Sequence, residues 1–253
     1  MVYFVGAGSG APDLITVRGA KLLGEADVVI YAGSLVNPEV LKYCRPGCRL
    51  HDSAYLTLEQ VETIIREAEQ KGETTVRLHT GDPCLYGAIR EQMDALAEQG
   101  IEYAVVPGVS SFCGAAAALK AEYTLPGVSQ TVIITRMAGR TPVPEREAVH
   151  NLAKAGSTMV VFLSSSLLPE LQAELLQGAY TENTPAAIVY KATWPDERVF
   201  ACTVGTLAET ARKNNITRTA LITVGDFLGC GYERSKLYDP SFTTGYRKAS
   251  HEG

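Results

Sequence analysis

The stretch VGAGSGAPDLIT, Val5 to Thr16, directly follows the first apolar residues of the chain. Read as G-x-G-x-x-G/A, it places Gly6, Gly8 and Ala11 in the three small-residue positions of a dinucleotide-binding turn. In that fold the turn runs straight into a helix whose N-terminal amides face a pyrophosphate, whereas here Pro12 and the letters DLIT intervene. The next apolar run, ADVVIYAGSLV, ends without the acidic residue that takes ribose hydroxyls. The stretch therefore indicates a tight turn after a first strand, or a site for another ligand, rather than a nicotinamide or flavin site.

Length and charge limit the classes of protein to consider. A chain of 253 residues is long enough for two domains that each bury a core. The formal net charge of -5 argues against a nucleic-acid-binding protein that works by bulk electrostatics, so an anionic ligand must be met by local cations. The chain begins with strand-like sequence and contains no apolar run long enough to cross a bilayer, so we expect a cytoplasmic protein without membrane partners.

The cysteines are not spaced like metal ligands. None of the six forms a C-x-x-C pair, and structural zinc sites need tight pairs at two places in the chain. We expect reduced, mostly buried thiols and no metal site. The six are Cys44, Cys48, Cys84, Cys113, Cys202 and Cys230.

Strand-like and helical runs alternate along most of the chain. Up to about residue 125 the strand-like runs are VYFVG, DVVIY, TTVRLH and YAVVPG, and the helical runs between them include LEQVETIIREAEQKG and YGAIREQMDALAEQG. TLPGVSQ interrupts the pattern, which then restarts with TVIITR and continues to TALITVGDFL. This predicts an α/β protein with mostly parallel sheets: one domain over 1–125, a second over 126–230, and a loosely ordered tail over 231–253. Two such domains usually place a ligand cleft between them, lined by loops at the carboxyl ends of strands.

The loop VRLHTGDPCLYGAIREQM follows one of these strands and carries the most informative polar residues. Gly81 lets a ligand approach the backbone closely. Asp82 can accept hydrogen bonds from ribose hydroxyls or an amino group, or it can cap a turn and helix. The helix after this loop is expected to open near Tyr86 and Gly87.

Three other strand ends supply small and polar residues. VVPGVSSFCGAAAALKA places Ser110 and Ser111 at the start of an alanine-rich helix, and VVFLSSS and VYKATWPDE end strands in the second half. No Ser/His/acid triad, Walker loop or H-E-x-x-H is present in the sequence, so hydrolase and NTPase functions have no support.

Taken together, these motifs resemble a known family. VGAGSGAPDLITVRG, ADVVIY with SLV, VRLHTGDPCLYG, VVPGVSS and TALITVG occur in the order and spacing of the tetrapyrrole methylases, over residue 2 to about residue 228. These enzymes transfer methyl groups from S-adenosylmethionine to macrocycle precursors. Within the family, HTGDPCLYGAIREQM, TRMAGRTPVPE and VYKATWPDE resemble the members that methylate C11 of precorrin-4 or cobalt-precorrin-4 in cobalamin synthesis. The glycine turn resembles the family's N-terminal motif, which implies a macrocycle contact rather than a phosphate site.

The resemblance implies a two-domain homodimer that binds S-adenosylmethionine, yields S-adenosylhomocysteine and acts on a tetrapyrrole. Carried over motif by motif, the cofactor contacts fall on Thr80, Gly81, Asp82, Leu85, Ser110, Ser111, Leu163, Ala192 and Ala220. The macrocycle's carboxylates need local cations, and the arginine fork suits them. His79 and Tyr86 are expected to orient the ring or accept a proton, or His79 simply satisfies a neighbour. The expected substrate contacts are Gly8, Ser9, Arg18, His79, Tyr86, Arg90, Arg136, Arg140 and Lys191.

The chain departs from the family pattern at several positions. Family members commonly show G-A-G-P-G-D, where this chain has Ser9 and Ala11. Relatives that methylate uroporphyrinogen carry an aspartate, proposed as a base, at the position of Gly33, so no catalytic acid or base is carried over. Methyl transfer from a sulfonium depends on alignment and exclusion of water more than on acid or base catalysis. Methylation at another ring carbon, a same-fold RNA or diphthine methylase, and a non-catalytic tetrapyrrole carrier remain as alternatives.

Overall fold

A computed structural model of the protein describes residues 1–229 and 231–250. Cys230 and residues 251–253 lie outside the described residues, and with them the thiol expected at Cys230 and the end of the expected loose tail. The chain forms two compact units. Unit 1 consists of Met1–Leu119 together with Tyr190–Arg198, and unit 2 consists of Lys120–Val189 together with the chain from Val199 onward.

Unit 1 is built on a five-stranded, wholly parallel sheet with the strand order β3-β2-β4-β1-β5. Its strands are β1 (Val2–Gly6), β2 (Val28–Tyr31), β3 (Arg49–Asp52), β4 (Thr75–His79) and β5 (Tyr103–Val106). Its helices are α1 (Val17–Glu25), α2 (Leu58–Gln70), α3 (Arg90–Glu98) and α4 (Ser111–Leu119). The edge strand β3 was not predicted, because its residues RLHD are largely polar and half-exposed or exposed.

The sheet of unit 1 is buried on both faces, as parallel sheets generally are. Val76 and Leu78 of β4 belong to a core cluster with Leu23 of α1. Phe4 of β1 belongs to a second cluster that includes Ile65 of α2 and residues of α3. Each such fully buried aliphatic or aromatic side chain stabilises the fold by about 1.5–3 kcal/mol.

Local signals set the ends of the helices. Thr57 and Gln60 form a capping box at the start of α2, and Gly72 has φ 68° just beyond its end. The helix after the HTGDP loop begins at Arg90, later than predicted. Tyr86 and Ala88 have φ values of 56° and 49°, a left-handed conformation that cannot continue into a right-handed helix.

Unit 2 contains a second five-stranded sheet in the order β6-β7-β10-β8-β9. The strands β6 and β7 are parallel, while β7 and β10 are antiparallel. The strands are β6 (Val132–Arg136), β7 (Thr158–Phe162), β8 (Pro185–Tyr190), β9 (Arg198–Thr203) and β10 (Ala220–Val224), and the helices are α5 (Val149–Leu152), α6 (Leu168–Leu175) and α7 (Leu207–Lys213). The predicted α/β class with mostly parallel strands is therefore confirmed.

Residues 231–250 form turns and one short 3-10 helix, Lys236–Tyr238. Glu233 N donates to Pro126 O at 3.1 Å, and the Arg247 guanidinium donates to Leu237 O at 3.1 Å. A loosely ordered tail stays a prediction. Across the described ranges, no helix combines the length and apolar character needed to cross a membrane.

Candidate functional site

Three glycines meet where β1, β4 and β5 end. A Cβ on Gly6 would lie 2.5 Å from both Gly108 Cα and Gly81 O, and one on Gly108 would lie 2.1 Å from Gly81 O. Real Cβ atoms do not approach backbone this closely, so only glycine lets the three segments pack. Because the strands are parallel, their carboxyl ends share one edge of the sheet, the usual place for a ligand in such folds.

The glycine turn is paired with the HTGDP loop through its backbone. Ala7 N donates to His79 O at 2.7 Å, Gly8 N donates to Gly81 O at 3.3 Å, and Gly81 N donates to Gly8 O at 2.8 Å. Gly8 and Gly81 have φ values of 86° and 60°, which favour glycine. The predicted substrate residue Gly8 and the predicted cofactor residue Gly81 are thus neighbours.

Asp82 joins the two loops that the sequence singled out. Its Oδ2 accepts from Gly108 N at 2.9 Å, and its Oδ1 accepts from Cys84 N at 2.8 Å. The second bond is the turn cap considered from the sequence, and the first ties the loop after β4 to the loop after β5. Each carboxylate oxygen keeps a further lone pair that a ligand donor can use. Ser110 is buried and Ser111 is half-buried at the start of α4.

Behind this edge lies a buried polar group that the sequence did not reveal. Arg77 of β4 is 7% exposed and donates to Ile30 O and to Gln92 Oε1, both at 3.1 Å. Burial lowers the pKa of Arg77 to about 10. Gln92 Nε2 in turn donates to Ala88 O at 2.9 Å. These hydrogen bonds therefore connect Arg77, through Gln92, to the backbone of the left-handed residue Ala88. All five residues of β4 are buried, so Arg77 lies inside a run that reads simply as a buried strand.

His79 is buried rather than exposed at the edge. Its side chain is 4% exposed, and its ring centroid lies 6.1 Å from that of Phe4. Within the described residues, no group forms a hydrogen bond with His79 Nε2. Burial, with a smaller contribution from the charge of Arg77, lowers the pKa of His79 to about 3. The imidazole is neutral at pH 7, and a direct contact with a macrocycle would require the ring to leave its buried position.

The loop Tyr190–Arg198 contacts the glycine turn within unit 1. Thr193 Oγ1 accepts from Ala11 N at 3.0 Å and lies 3.1 Å from Ser9 Oγ. Both residues of the turn that depart from the family pattern therefore bind one threonine hydroxyl. Thr193 belongs to the strand-end stretch VYKATWPDE, in which the sequence analysis assigned it no role, and the unusual Ser9 was the signal that could have linked the two residues.

A carboxylate occupies the space beside Gly33. Asp52 Oδ1 accepts from Gly33 N at 3.0 Å, and a Cβ on Gly33 would lie 2.1 Å from Asp52 Oδ2. Gly33 is the position at which the resemblance to uroporphyrinogen methylases implies an aspartate in those enzymes. Here the carboxylate next to that position comes from β3, the strand that the sequence did not predict.

The predicted cationic residues of unit 1 differ in their exposure and in their contacts with carboxylates. Arg18 is exposed in the first turn of α1, and Arg90 is 84% exposed at its side chain, with a bond to Asp94 at 2.9 Å. Lys191 Nζ bonds Asp196 at 2.7 Å, which raises the pKa of Lys191. Its ammonium also lies 5.1 Å from the ring centroid of Trp194.

Four predicted site residues lie in unit 2. Leu163 follows β7 with φ 52° and 62% exposure, an unusual conformation for an exposed leucine. Ala220 begins β10, and its carbonyl accepts from Ser165 Oγ at 2.9 Å. Arg136 donates to the carbonyls of its own following loop, at Met137, Thr141 and Pro142, and Arg140 is exposed in that loop.

The thiols of the described cysteines are all free, but each of these residues is half-buried or exposed, so the expectation of mostly buried thiols is wrong for them. Burial raises the pKa of Cys44 and of Cys202 to about 11, so neither is a thiolate at pH 7. In residues 1–229 and 231–250, no three His, Cys, Asp or Glu side chains converge so that they could hold a metal ion.

Comparison with known proteins identifies the family. A sequence model of the tetrapyrrole (corrin/porphyrin) methylases matches residues 1–208. The cobalt-precorrin-4 C(11)-methyltransferase of Methanocaldococcus jannaschii is 50% identical over 249 residues, which cover 98% of this chain and 96% of that protein. The X-ray structure of CbiF, a cobalt precorrin-4 methyltransferase of cobalamin biosynthesis, matches with a TM-score of 0.88 at 46% identity and covers 90% of this chain and 96% of CbiF. Uroporphyrin-III C-methyl transferase from Thermus thermophilus, solved with S-adenyl homocysteine, matches with a TM-score of 0.77 at 28% identity and covers 90% of this chain and 98% of that one. The chain belongs to the tetrapyrrole (corrin/porphyrin) methylases.

Proposed function

We infer that the protein transfers a methyl group from S-adenosylmethionine to C11 of cobalt-precorrin-4, or of metal-free precorrin-4, in cobalamin biosynthesis. The observation that carries this inference is the 50% identity with a cobalt-precorrin-4 C(11)-methyltransferase along 98% of the chain. A tetrapyrrole is therefore the small-molecule partner.

The residues at the carboxyl edge of the unit 1 sheet fit a cofactor that is held largely by backbone groups. Gly6, Gly81 and Gly108 keep side chains away from this edge, and Asp82 is fixed by two backbone N–H groups. When bound, S-adenosylmethionine supplies an electrophilic methyl group on a sulfonium. In unit 1 the residues proposed to hold it are Thr80, Gly81, Asp82, Leu85, Ser110, Ser111 and Ala192, and in unit 2 they are Leu163 and Ala220.

The protein's own task is to orient the reactants and exclude water, because a fixed alignment removes most of the entropic barrier. The fixed carboxylate of Asp82 orients a hydrogen-bond donor, and the glycine edge lets a flat ligand approach. Arg18, Arg90 and Lys191 of unit 1, with Arg136 and Arg140 of unit 2, are proposed to bind the macrocycle's carboxylates. Gly8, Ser9 and Tyr86 are proposed to contact its ring, whereas the side chain of His79 is buried.

The direct test is anaerobic incubation with cobalt-precorrin-4 and S-adenosylmethionine that carries a carbon-13 methyl group. We expect one labelled methyl at C11, read by mass spectrometry and carbon NMR. Gly108→Ala, whose Cβ would clash with Gly81 O, should lose transfer, whereas Gly245→Ala has no atom within 4 Å and should keep it. A methyl at another ring carbon, or no transfer to either the cobalt or the metal-free macrocycle, would contradict the inference.

We also propose that the protein is a cytoplasmic homodimer. The resemblance to two-domain homodimeric relatives supports the dimer, and the free thiols at the described cysteines suit a reducing compartment. Light scattering after size-exclusion chromatography measures the mass in solution, for which we expect twice 27.2 kDa. A mass of one chain at micromolar concentration would contradict the dimer.

A further inference from the structure

A single threonine hydroxyl connects two segments with different proposed ligands. Thr193 Oγ1 accepts from Ala11 N at 3.0 Å and lies 3.1 Å from Ser9 Oγ. Ser9 is 6% exposed, so its hydroxyl has little access to water. Ser9 belongs to the turn proposed to contact the macrocycle, and Thr193 directly follows Ala192, which is proposed to contact the cofactor. A displacement of one segment therefore displaces the other through the hydrogen bonds of this oxygen.

The close approach of these segments depends on two glycines. A Cβ on Gly10 would lie 2.2 Å from Trp194 Cδ1 and 2.8 Å from Ala192 O. A Cβ on Gly114 of α4 would lie 2.8 Å from Ser9 Cβ and 3.2 Å from Thr193 Cγ2. The Thr193 contact is thus enclosed on two sides by positions without a side chain, rather than being an incidental surface bond.

The loop that carries Thr193 is held in one conformation. Lys191 and Thr193 have φ values of 47° and 66°, which non-glycine residues adopt only where the surroundings fix them. Thr193 N donates to Glu197 Oε2 at 2.6 Å, and Trp194 N donates to Lys191 O at 3.0 Å. Because the loop is fixed internally, a shift of Ala192 carries the Thr193 hydroxyl with it.

We propose that Thr193 is a positioning residue that couples macrocycle binding at the glycine turn to cofactor binding at the loop. This proposal rests on the proposed function. A bound ligand that fixes one segment fixes the other through the hydroxyl, so each ligand strengthens the binding of the other. The effect is reciprocal by thermodynamic necessity, and couplings of this kind are typically about 5–150-fold in affinity.

The test measures the affinity for S-adenosylhomocysteine by calorimetry, with and without cobalt-precorrin-4. Thr193→Val keeps the shape of the side chain and removes the hydroxyl, while Thr193→Ser keeps the hydroxyl. We expect the macrocycle to tighten S-adenosylhomocysteine binding at least about 5-fold in the wild type and in Thr193→Ser, and less than about 2-fold in Thr193→Val. In steady-state kinetics, Thr193→Val should raise the KM of both substrates more than it lowers kcat.

Unit 2 offers a matched control with the same bonding pattern. Thr184 Oγ1 accepts from Thr181 N at 2.8 Å and lies 3.3 Å from Thr181 Oγ1. Thr184→Val removes an equivalent hydroxyl and should leave the coupling at its wild-type value. Ser9→Ala removes the other hydroxyl of the contact and should weaken the coupling even if Thr193→Val does not fold.

The outcomes separate this proposal from the proposed function. A wild-type enzyme that transfers methyl, together with Thr193→Val and Ser9→Ala variants that keep the full coupling, would overturn the coupling role alone. A wild-type enzyme whose two ligands bind independently would do the same. A wild-type protein that binds neither ligand would overturn the proposed function and, with it, this proposal.

Discussion

Replacing Gln92 by methionine should destabilise unit 1 strongly, because the change leaves a buried arginine without one of its partners. Gln92 is 6% exposed; its Oε1 accepts from Arg77 Nε at 3.1 Å, and its Nε2 donates to Ala88 O at 2.9 Å. Methionine keeps the size of the side chain and removes both bonds. A hydrogen bond to a charged group contributes about 1.5–3 kcal/mol and a neutral one about 0.5–1.5 kcal/mol. We therefore expect Gln92→Met to lower the free energy of unfolding by about 2–4 kcal/mol.

Urea unfolding followed by circular dichroism at pH 7 measures this loss, and Gln99→Met is its matched control. Gln99 Nε2 donates to Ala95 O at 3.0 Å over the same four-residue spacing, but it is exposed, so its loss should change stability by at most about 0.5 kcal/mol. The double variant Arg77→Met/Gln92→Met removes the buried charge as well. Its free energy of unfolding should therefore fall by less than the sum of the losses in the two single variants. A Gln92→Met protein as stable as Gln99→Met would refute the reasoning.

Three further predictions concern residues at the carboxyl edge of the unit 1 sheet. Because the pKa of His79 falls from 6.5 to about 3 on folding, the unfolded chain binds the extra proton between these values. The free energy of unfolding, measured by urea unfolding, should therefore fall by about 2–3 kcal/mol from pH 7 to pH 4.5. If His79→Asn shows the same dependence of stability on pH, His79 is not the group responsible. Gly108→Ala should weaken S-adenosylhomocysteine binding at least about tenfold in calorimetry, since its Cβ would meet a backbone oxygen at 2.1 Å, while Gly245→Ala should bind normally. Asp82→Ala should also weaken the binding of S-adenosylhomocysteine, whereas Asp94→Ala, on the exposed face of α3, should not. If the two variants bind S-adenosylhomocysteine with equal affinity, the HTGDP loop is not part of the site.

Most of the sheet was predictable because its strands bury their side chains on both faces. VYFVG, DVVIY and TTVRLH read as strands from composition alone, and the structure places strands there. The strand Arg49–Asp52 carries no such signal, since it lies at the edge and its hydrogen bonds with β2, rather than buried side chains, define it. The start of α3 was also placed too early, because left-handed residues such as Tyr86 and Ala88 have no apolar periodicity to mark them.

The candidate site was predictable as a set of loops but not as a set of contacts. Parallel strands deliver their carboxyl ends to one edge, so the neighbourhood of Gly8, Gly81 and Ser110 followed from topology. That both oxygens of Asp82 are bonded to backbone N–H groups could not be foreseen, because its partner Gly108 lies far along the chain. The contact of Ser9 with Thr193 spans a still larger separation, and no local pattern encodes it.

The membership of Tyr190–Arg198 in unit 1 has a consequence for how the protein is made. A nascent chain that has reached Leu119 contains all five strands of the first sheet, yet the hydroxyl that binds Ser9 and Ala11 has not been synthesised. The glycine turn acquires this partner only after β6, β7 and β8 have left the ribosome. A truncated product ending near Leu119 would thus contain the five strands but lack the hydroxyl that binds the glycine turn, and no continuous N-terminal fragment that ends there contains the whole of unit 1.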